Sequence, residues 1–506
     1  MSAWRRWWIL AACAGCAACA GGAGSVPSGT EVASPTAGSR AATRVAVSRV
    51  DAPLGIDDAR TLLTRTGFGA TPAEIADYAR LTRGAAVERL LAATTTRAST
   101  APPPPIGSPE SLERPRRGAS DDDRKAFRRA QARDTMALRA WWLHEMLVTP
   151  SPLTERMTLF WHGHFATGVQ KVRLATLMYR QNATLRANAV GNFGALLHAV
   201  ARDPAMMIWL DTAQNRRGHP NENFAREAME LFTLGEGHYD ERDVQEAARA
   251  FTGWSVDRDA LTFTTRPRLH DDGVKTVLGR TGRLDGNDVL DTILAESRTA
   301  TFITGELWRE FVSPVPDERE VARIAAHFRE SGYDIKAVLR DLFTSDAMFA
   351  ETSRGALVKS PVDVVVGSLH TLGIVPDDMR PYALACAAMG QNLFAPPNVR
   401  GWPGGDAWIN SGTLLARKQF LARLARADNF GIPAPPAGGM PMRAARETPF
   451  DVAHWLDPLP ADAGRDARER SLRVLLPIAP VDAAAIAGDT SNVVRTALQD
   501  PAYELQ

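Results

Sequence analysis

Apolar residues recur every three to four positions along most of this chain, the period of a helix that buries one face. That pattern predicts helices at Asp57–Thr64, from Thr71 onward, as two long segments within Lys125–Phe160, at Asn182–Val200 and at Met206–Leu210. It resumes at Val289–Leu294, Thr301–Phe311, Glu320–Glu330, Ile335–Phe343, from Ser360 to Leu372, and over Arg380–Leu393 and Leu414–Ala427. Thr71-Pro-Ala-Glu has a capping hydroxyl, a proline at the first helical position and a glutamate three residues on. Strand-like residues are confined to Leu261–Thr265 and Leu269–Gly279, where a small hairpin around Asp271–Gly273 is expected. No repeat of fixed period and no heptad run is present. The expected fold class is mainly α, a single large multi-helix domain with minor β-hairpin elements.

The first fifty residues break that pattern. Trp4-Arg5-Arg6 supplies positive charge, Trp7–Ala12 is a short apolar run, and small residues follow, the layout of an export signal. The run is well short of the ~20 apolar residues a membrane-spanning helix needs. Leu10-Ala11-Ala12-Cys13 resembles a bacterial lipobox, which makes Cys13 the expected lipidation site; an ordinary cleaved signal is the alternative. Residues 1–19 are read as this signal and 20–49 as an alanine-, glycine-, serine- and threonine-rich tether. Residues 50–430 form the expected helical core, with an exposed proline-rich insertion at 99–124. Residues 431–506 are a proline- and glycine-rich linker and a C-terminal helical appendix.

The chain has 506 residues and a formal net charge of +1, so no general attraction to nucleic acid is implied. Of four cysteines only Cys386 lies outside the leader, which excludes a disulfide framework. Its apolar setting reads as core.

Candidate chemistry concentrates in Asn221–Trp254. On a helix, Phe224, Ala225, Ala228, Met229, Leu231 and Phe232 share one face, while Glu222, Asn223, Arg226, Glu227 and Glu230 share the other. Gly235 and Gly237 would end the helix and deliver His238 beside it. Such a helix is either a solvated face laced with ion pairs or one wall of a polar site.

Several longer motifs carry a resemblance. Phe160-Trp-His-Gly-His-Phe-Ala-Thr, Ala201-Arg-Asp-Pro-Ala-Met, Pro220-Asn-Glu-Asn-Phe-Ala-Arg-Glu and Glu230-Leu-Phe-Thr-Leu-Gly-Glu-Gly-His-Tyr are among them. So are Ala250-Phe-Thr-Gly-Trp, His270-Asp, Lys359-Ser-Pro and Pro396-Pro-Asn-Val-Arg-Gly-Trp-Pro-Gly-Gly. Together they resemble the bacterial family known as domain of unknown function 1800, from about Asp57 to the C-terminus. The resemblance implies an exported helical protein and supplies no reaction. The family's usual His-Asn-His element has Gly163 at its middle position here.

Four features would converge on a site. His162 and His164, if extended, would point the same way and reach one cation; the bland alternative is a pair of histidines hydrogen-bonded to loop carbonyls. Glu227 and Glu230 would bind a cation or divide acid and base roles, against a surface pairing with Arg226. On that same helix, as part of this second feature, Asn221 or Asn223 would serve as the cap or bind ligand. His270–Asp271 would be an oriented acid–base pair or simple turn chemistry. Arg400, Trp402 and Trp408 sit on a stiff loop suited to a sugar ring or flat ligand, or close the core.

The leading expectation is therefore an exported, membrane-anchored, metal-assisted hydrolase acting on an extracytoplasmic polymer such as a glycan. His162, His164 and one or more of His238, Glu227 and Glu230 would hold a divalent metal ion that activates water, Arg226 would steady negative charge, and His270–Asp271 would manage protons. The alternatives are a non-catalytic envelope protein binding a polymer or a protein partner, and a redox or oxygen-handling metalloprotein. The last lacks the expected Glu-x-x-His spacing.

Overall fold

Helix starts along the chain are set by short polar side chains that accept a hydrogen bond from the first turn. Thr71 and Glu74 form the expected capping box, and Ser120–Asp123, Asp240–Asp243, Asp285–Asp288 and Ser360–Asp363 repeat the device. The computed structural model describes residues 52–103, 106, 115, 118–257, 259–426, 451–460, 463–482 and 487–506. These belong to one compact unit, Ser48–Gln506. The leader, Cys13 and the tether lie outside the described residues.

The first half of the unit runs α1 Gly55–Thr66, α2 Pro72–Ala79, α3 Arg83–Ala92, α4 Asp121–Val148, α5 Pro152–His164, α6 Val169–Val172, α7 Ala175–Asn188, α8 Phe193–Ala201, α9 Pro204–Trp209, α10 Asn223–Glu230 and α11 Glu241–Ala250. Two antiparallel hairpins follow, β1 Trp254–Asp257 with β2 Thr262–Thr265, and β3 Lys275–Val277 with β4 Arg280–Gly282. The second half runs α12 Gly286–Ala295, α13 Ser297–Phe311, α14 Glu318–Glu330, α15 Ile335–Thr344, α16 Asp346–Phe349, α17 Pro361–Thr371, α18 Arg380–Ala388 and α19 Ser411–Arg426. The short helices α20 Val452–Leu456, α21 Ala467–Leu475 and α22 Thr490–Ala497 complete it. The mainly α architecture with minor hairpins is as expected.

Three local expectations shift. The single helix expected at Asn182–Val200 is two, because Asn192 caps a new start by accepting from Ala195 N–H. The second hairpin turns at Leu278-Gly279, both at positive φ, rather than at Asp271–Gly273. The segment near 431–506 is no appendix where it is described. Arg417 pairs with Glu504, Arg473 pairs with Asp57, and Leu357 and Gln506 exchange backbone hydrogen bonds.

Helix α17 is the centre of the core. Val362, Val364, Val365, Val366 and Leu369 are completely buried. Gly69 packs on it at φ +75, where an added Cβ would stand 2.8 Å from the Gly367 carbonyl oxygen. Helices α4 and α18 pack on α17, while α5 packs on α7 and α13 on α14. Trp142, Trp161 and Trp308 are fully buried among them, each contributing a few kcal/mol of apolar burial (~25 cal/mol per Å²). Among the described residues no helix is long and apolar enough to cross a membrane.

Candidate functional site: an aromatic-walled cleft with carboxyl groups

Where the end of α5, the turn after α10, helix α13 and the loop 395–408 meet, they enclose a cleft of about 680 Å³. His164, Glu230, Arg400, Trp402 and Trp408 all line it, so five residues singled out in the sequence converge. Phe160 and Phe302 add apolar wall.

Helix α5 continues through Gly163 to His164, and successive residues on a helix are about 100° apart. His162 and His164 therefore point to nearly opposite sides, not together as an extended segment would place them. His162 is 1 % exposed and its Nε2 accepts from Phe394 N–H at 3.1 Å. Its ring lies among Trp142, Phe394 and Trp402, with centroids 5.1, 5.0 and 5.5 Å away. Burial pushes its pKa down to about 3, so it is a neutral acceptor. His164 Nε2 donates to the Phe232 carbonyl oxygen at 3.1 Å, and burial lowers its pKa to about 4. Both imidazoles hold cleft walls: His162 fastens the loop bearing Trp402, and His164 fastens the turn after α10. Gly401 completes the seam at φ +76, because a Cβ there would overlap the carbonyl oxygen of Gly163.

Glu230 ends α10 and is held by Arg400 Nη2 at 2.7 Å and by the Tyr239 hydroxyl at 2.8 Å. Glu227, one turn back, is half-buried and absent from the cleft lining. Burial, then the Glu230 charge, push its carboxyl up. Arg226 turns away and is engaged by Glu222 at 3.1 Å and by Glu241, so it steadies no charge in the cleft. Asn221 and Asn223 form a turn at the helix start, with the Asn221 side chain accepting from Asn223 N–H at 3.0 Å. His238 is exposed and outside the lining.

The expected His270–Asp271 pair does not form. His270 Nδ1 donates to the Thr252 carbonyl at 2.9 Å, while Asp271 takes two hydrogen bonds from Arg249 at 2.9 and 3.2 Å. The Arg249 contact lowers the Asp271 pKa to about 2. This is a staple between α11 and the second hairpin.

The most unusual charges were missed in the sequence. Arg156 on α5 is buried and pairs with Asp363 on α17, while Glu310 on α13 stands 3.4 Å from its Nε. Burial pushes the Glu310 carboxyl up to about 7; Arg156 opposes the shift, and Asp363 and Glu306 reinforce it. The Glu310 side chain is 32 % exposed, but that surface faces the cleft, where protein surrounds it on most sides. Glu306, one turn before it, is also raised by burial. Arg156 itself was visible as a signal: it falls on the same apolar stretch of α5 as Leu153 and Met157, where a guanidinium demands buried carboxylates.

These residues do not fit a divalent ion. His162 accepts at Nε2 and so carries its proton on Nδ1, the two imidazoles diverge, and His238 lies elsewhere. Among the described residues no group of three or more His, Cys, Asp or Glu is arranged to hold a metal ion. Cys386 is buried, and burial raises its thiol pKa, as a core cysteine requires.

No curated protein and no solved structure matches the chain. The family model described as "Protein of unknown function (DUF1800)" matches residues 61–505, which holds every lining residue of the cleft but Gln506. The chain belongs to that family.

Proposed function

We propose that the cleft is the active site of an exported, membrane-anchored hydrolase acting on an extracytoplasmic polymer such as a glycan, with carboxyl groups rather than a metal ion as its acid and base. Glu310 gives a proton to the leaving-group oxygen as the bond to that oxygen breaks. Glu230 takes a proton from the attacking water, whose oxygen forms the new bond. Solvent then returns a proton to Glu310 and removes one from Glu230. A proton donor works best with a pKa near the ambient pH, which the surroundings of Glu310 provide. Trp402 and Phe160 offer the apolar faces that sugar rings stack on.

The observation that carries this reading is two carboxyl groups in contrasting settings on one aromatic cleft. Glu310 sits deep beside Arg156, and Glu230 is fixed by Arg400 and Tyr239. The test is release of new reducing ends from a panel of envelope polysaccharides. Wild type is expected to release them, Glu310→Gln to lose at least about a hundredfold in rate, and Glu230→Gln to lose similarly. Cleavage that Glu310→Gln leaves intact would sink the assignment. The rigid clamp on Glu230 also favours a second reading, a non-catalytic polymer-binding groove. Saturable binding with no cleavage of any polymer would select it.

The membrane anchor rests on Leu10-Ala-Ala-Cys13. Full-length protein is expected in the membrane fraction and Cys13→Ser in the soluble one. An unchanged partition would exclude the anchor.

A further inference from the structure

The charges around the cleft are not evenly spent. Three guanidinium groups line it, and each already faces a carboxylate: Arg156 faces Asp363, Arg309 faces Glu306 at 2.7 Å, and Arg400 faces Glu230 at 2.7 Å. The lining also holds Glu236, Asp406 and Glu310. Among the described residues Glu236 and Asp406 have no cation within ion-pair distance, and Glu310 shares Arg156 with Asp363. The cleft therefore has spare negative charge and no uncommitted positive group.

An independent feature points to a ligand. Gln391 lines the cleft and is only 5 % exposed. Its Oε1 accepts from Val362 N–H at 2.9 Å, but its Nε2 has no hydrogen-bond partner among the described residues. That nitrogen keeps contact with the cleft, where water meets it in the free protein and a ligand oxygen would take the water's place. A sugar hydroxyl or ether oxygen has the right chemistry.

We propose that the cleft selects a polymer of amino sugars bearing free ammonium groups over its acylated or anionic counterparts, with Glu236 and Asp406 facing the ammonium groups and Gln391 donating to a ring oxygen. This rests on the glycan reading of the same cleft. Carboxylates beside indole and phenyl faces are the usual surroundings of a bound ammonium. An anionic sugar would meet Glu236, Asp406 and Glu310 with no free guanidinium to offset them.

Calorimetric titration of the full-length protein with three tetrasaccharides tests it: glucosamine, N-acetylglucosamine and galacturonate. The glucosamine tetramer should bind at least about tenfold more tightly than the other two, and less tightly as salt rises. Glu236→Gln/Asp406→Asn, changed at two exposed positions, should remove most of that preference while keeping the fold by circular dichroism. Equal or tighter binding of the acetylated or anionic tetramer, or a preference untouched by the double variant, would overturn the selectivity and leave the hydrolase reading standing. If none of the three binds, the glycan reading itself falls and the selectivity with it.

Discussion

Replacing Arg156 by methionine should be among the most destructive single changes in this protein, and destructive in a pH-dependent way. The guanidinium is buried, pairs with a nearly buried Asp363, stands 3.4 Å from Glu310, and donates to the Arg65 carbonyl at 3.1 Å. It also sits 5.5 Å from the centroid of Phe68. Burial works against its charge, yet Asp363 and Glu310 outweigh that and hold its pKa above the ordinary value. Methionine replaces most of the stem but strands two carboxyl groups. Breaking a buried pair by removing one partner costs about 3–5 kcal/mol. The lost carbonyl hydrogen bond adds about 1 kcal/mol. Near pH 8 the variant should therefore lose about 4–6 kcal/mol in urea unfolding. As pH falls towards 5, Glu310 can take up a proton and shed its stranded charge, so the loss should shrink by at least about 1.4 kcal/mol, one decade of proton affinity. A loss below about 1 kcal/mol, or one that does not change with pH, would refute the view that Arg156 neutralises the cleft floor.

Three further outcomes follow from the same geometry. Glu310→Gln should be more stable than wild type at pH 8 and equal to it near pH 4. A raised carboxyl favours the native state at low pH and loses that advantage between the ordinary 4.5 and about 7, a difference of about 3 kcal/mol at most and about 1–2 after allowing for water in the cleft; urea midpoints across pH measure it, and a pH-independent difference would contradict it. His162→Ala should cost about 2–4 kcal/mol by leaving Phe394 N–H unpaired and an aromatic pocket underfilled, while a chelator leaves the melting temperature of wild type unchanged; a chelator-sensitive melt would restore the metal expectation. Asp271→Asn should lower stability by about 1 kcal/mol at neutral pH without touching cleavage, and the gap should close as pH falls from the ordinary 3.8 through about 2, where the wild-type carboxylate loses its charge; a loss of cleavage would return it to the site.

Much of the helical frame was legible because amphipathic period and capping boxes are local. The loop 395–408 was legible for the same reason, since prolines and glycines allow it no regular structure. The convergence of His164, Glu230, Arg400 and Trp402 followed from motifs rich in residues that rarely cluster by chance. What escaped was decided by long-range packing. The helical period of Thr301–Phe311 says nothing of what meets Glu310; α5 and α17, far away in sequence, bring Arg156 and Asp363 to it. His-x-His suggested a shared ligand only if the backbone was extended, and a single glycine did not stop α5 from carrying the helix through it. His270 and Asp271 are neighbours in sequence whose side chains found different partners, a carbonyl and an arginine.

The proposed chemistry needs the Glu310 carboxyl, raised by burial on the floor of the cleft, to hold a proton near neutral pH. Carbon-13 NMR titration of glutamate carboxyls, with Glu310→Gln to assign the signal, observes it without any substrate. A Glu310 midpoint near 7 is the predicted result. A midpoint near the ordinary 4.5 would mean that Glu310 is a simple partner of Arg156 and that the cleft has no proton donor there.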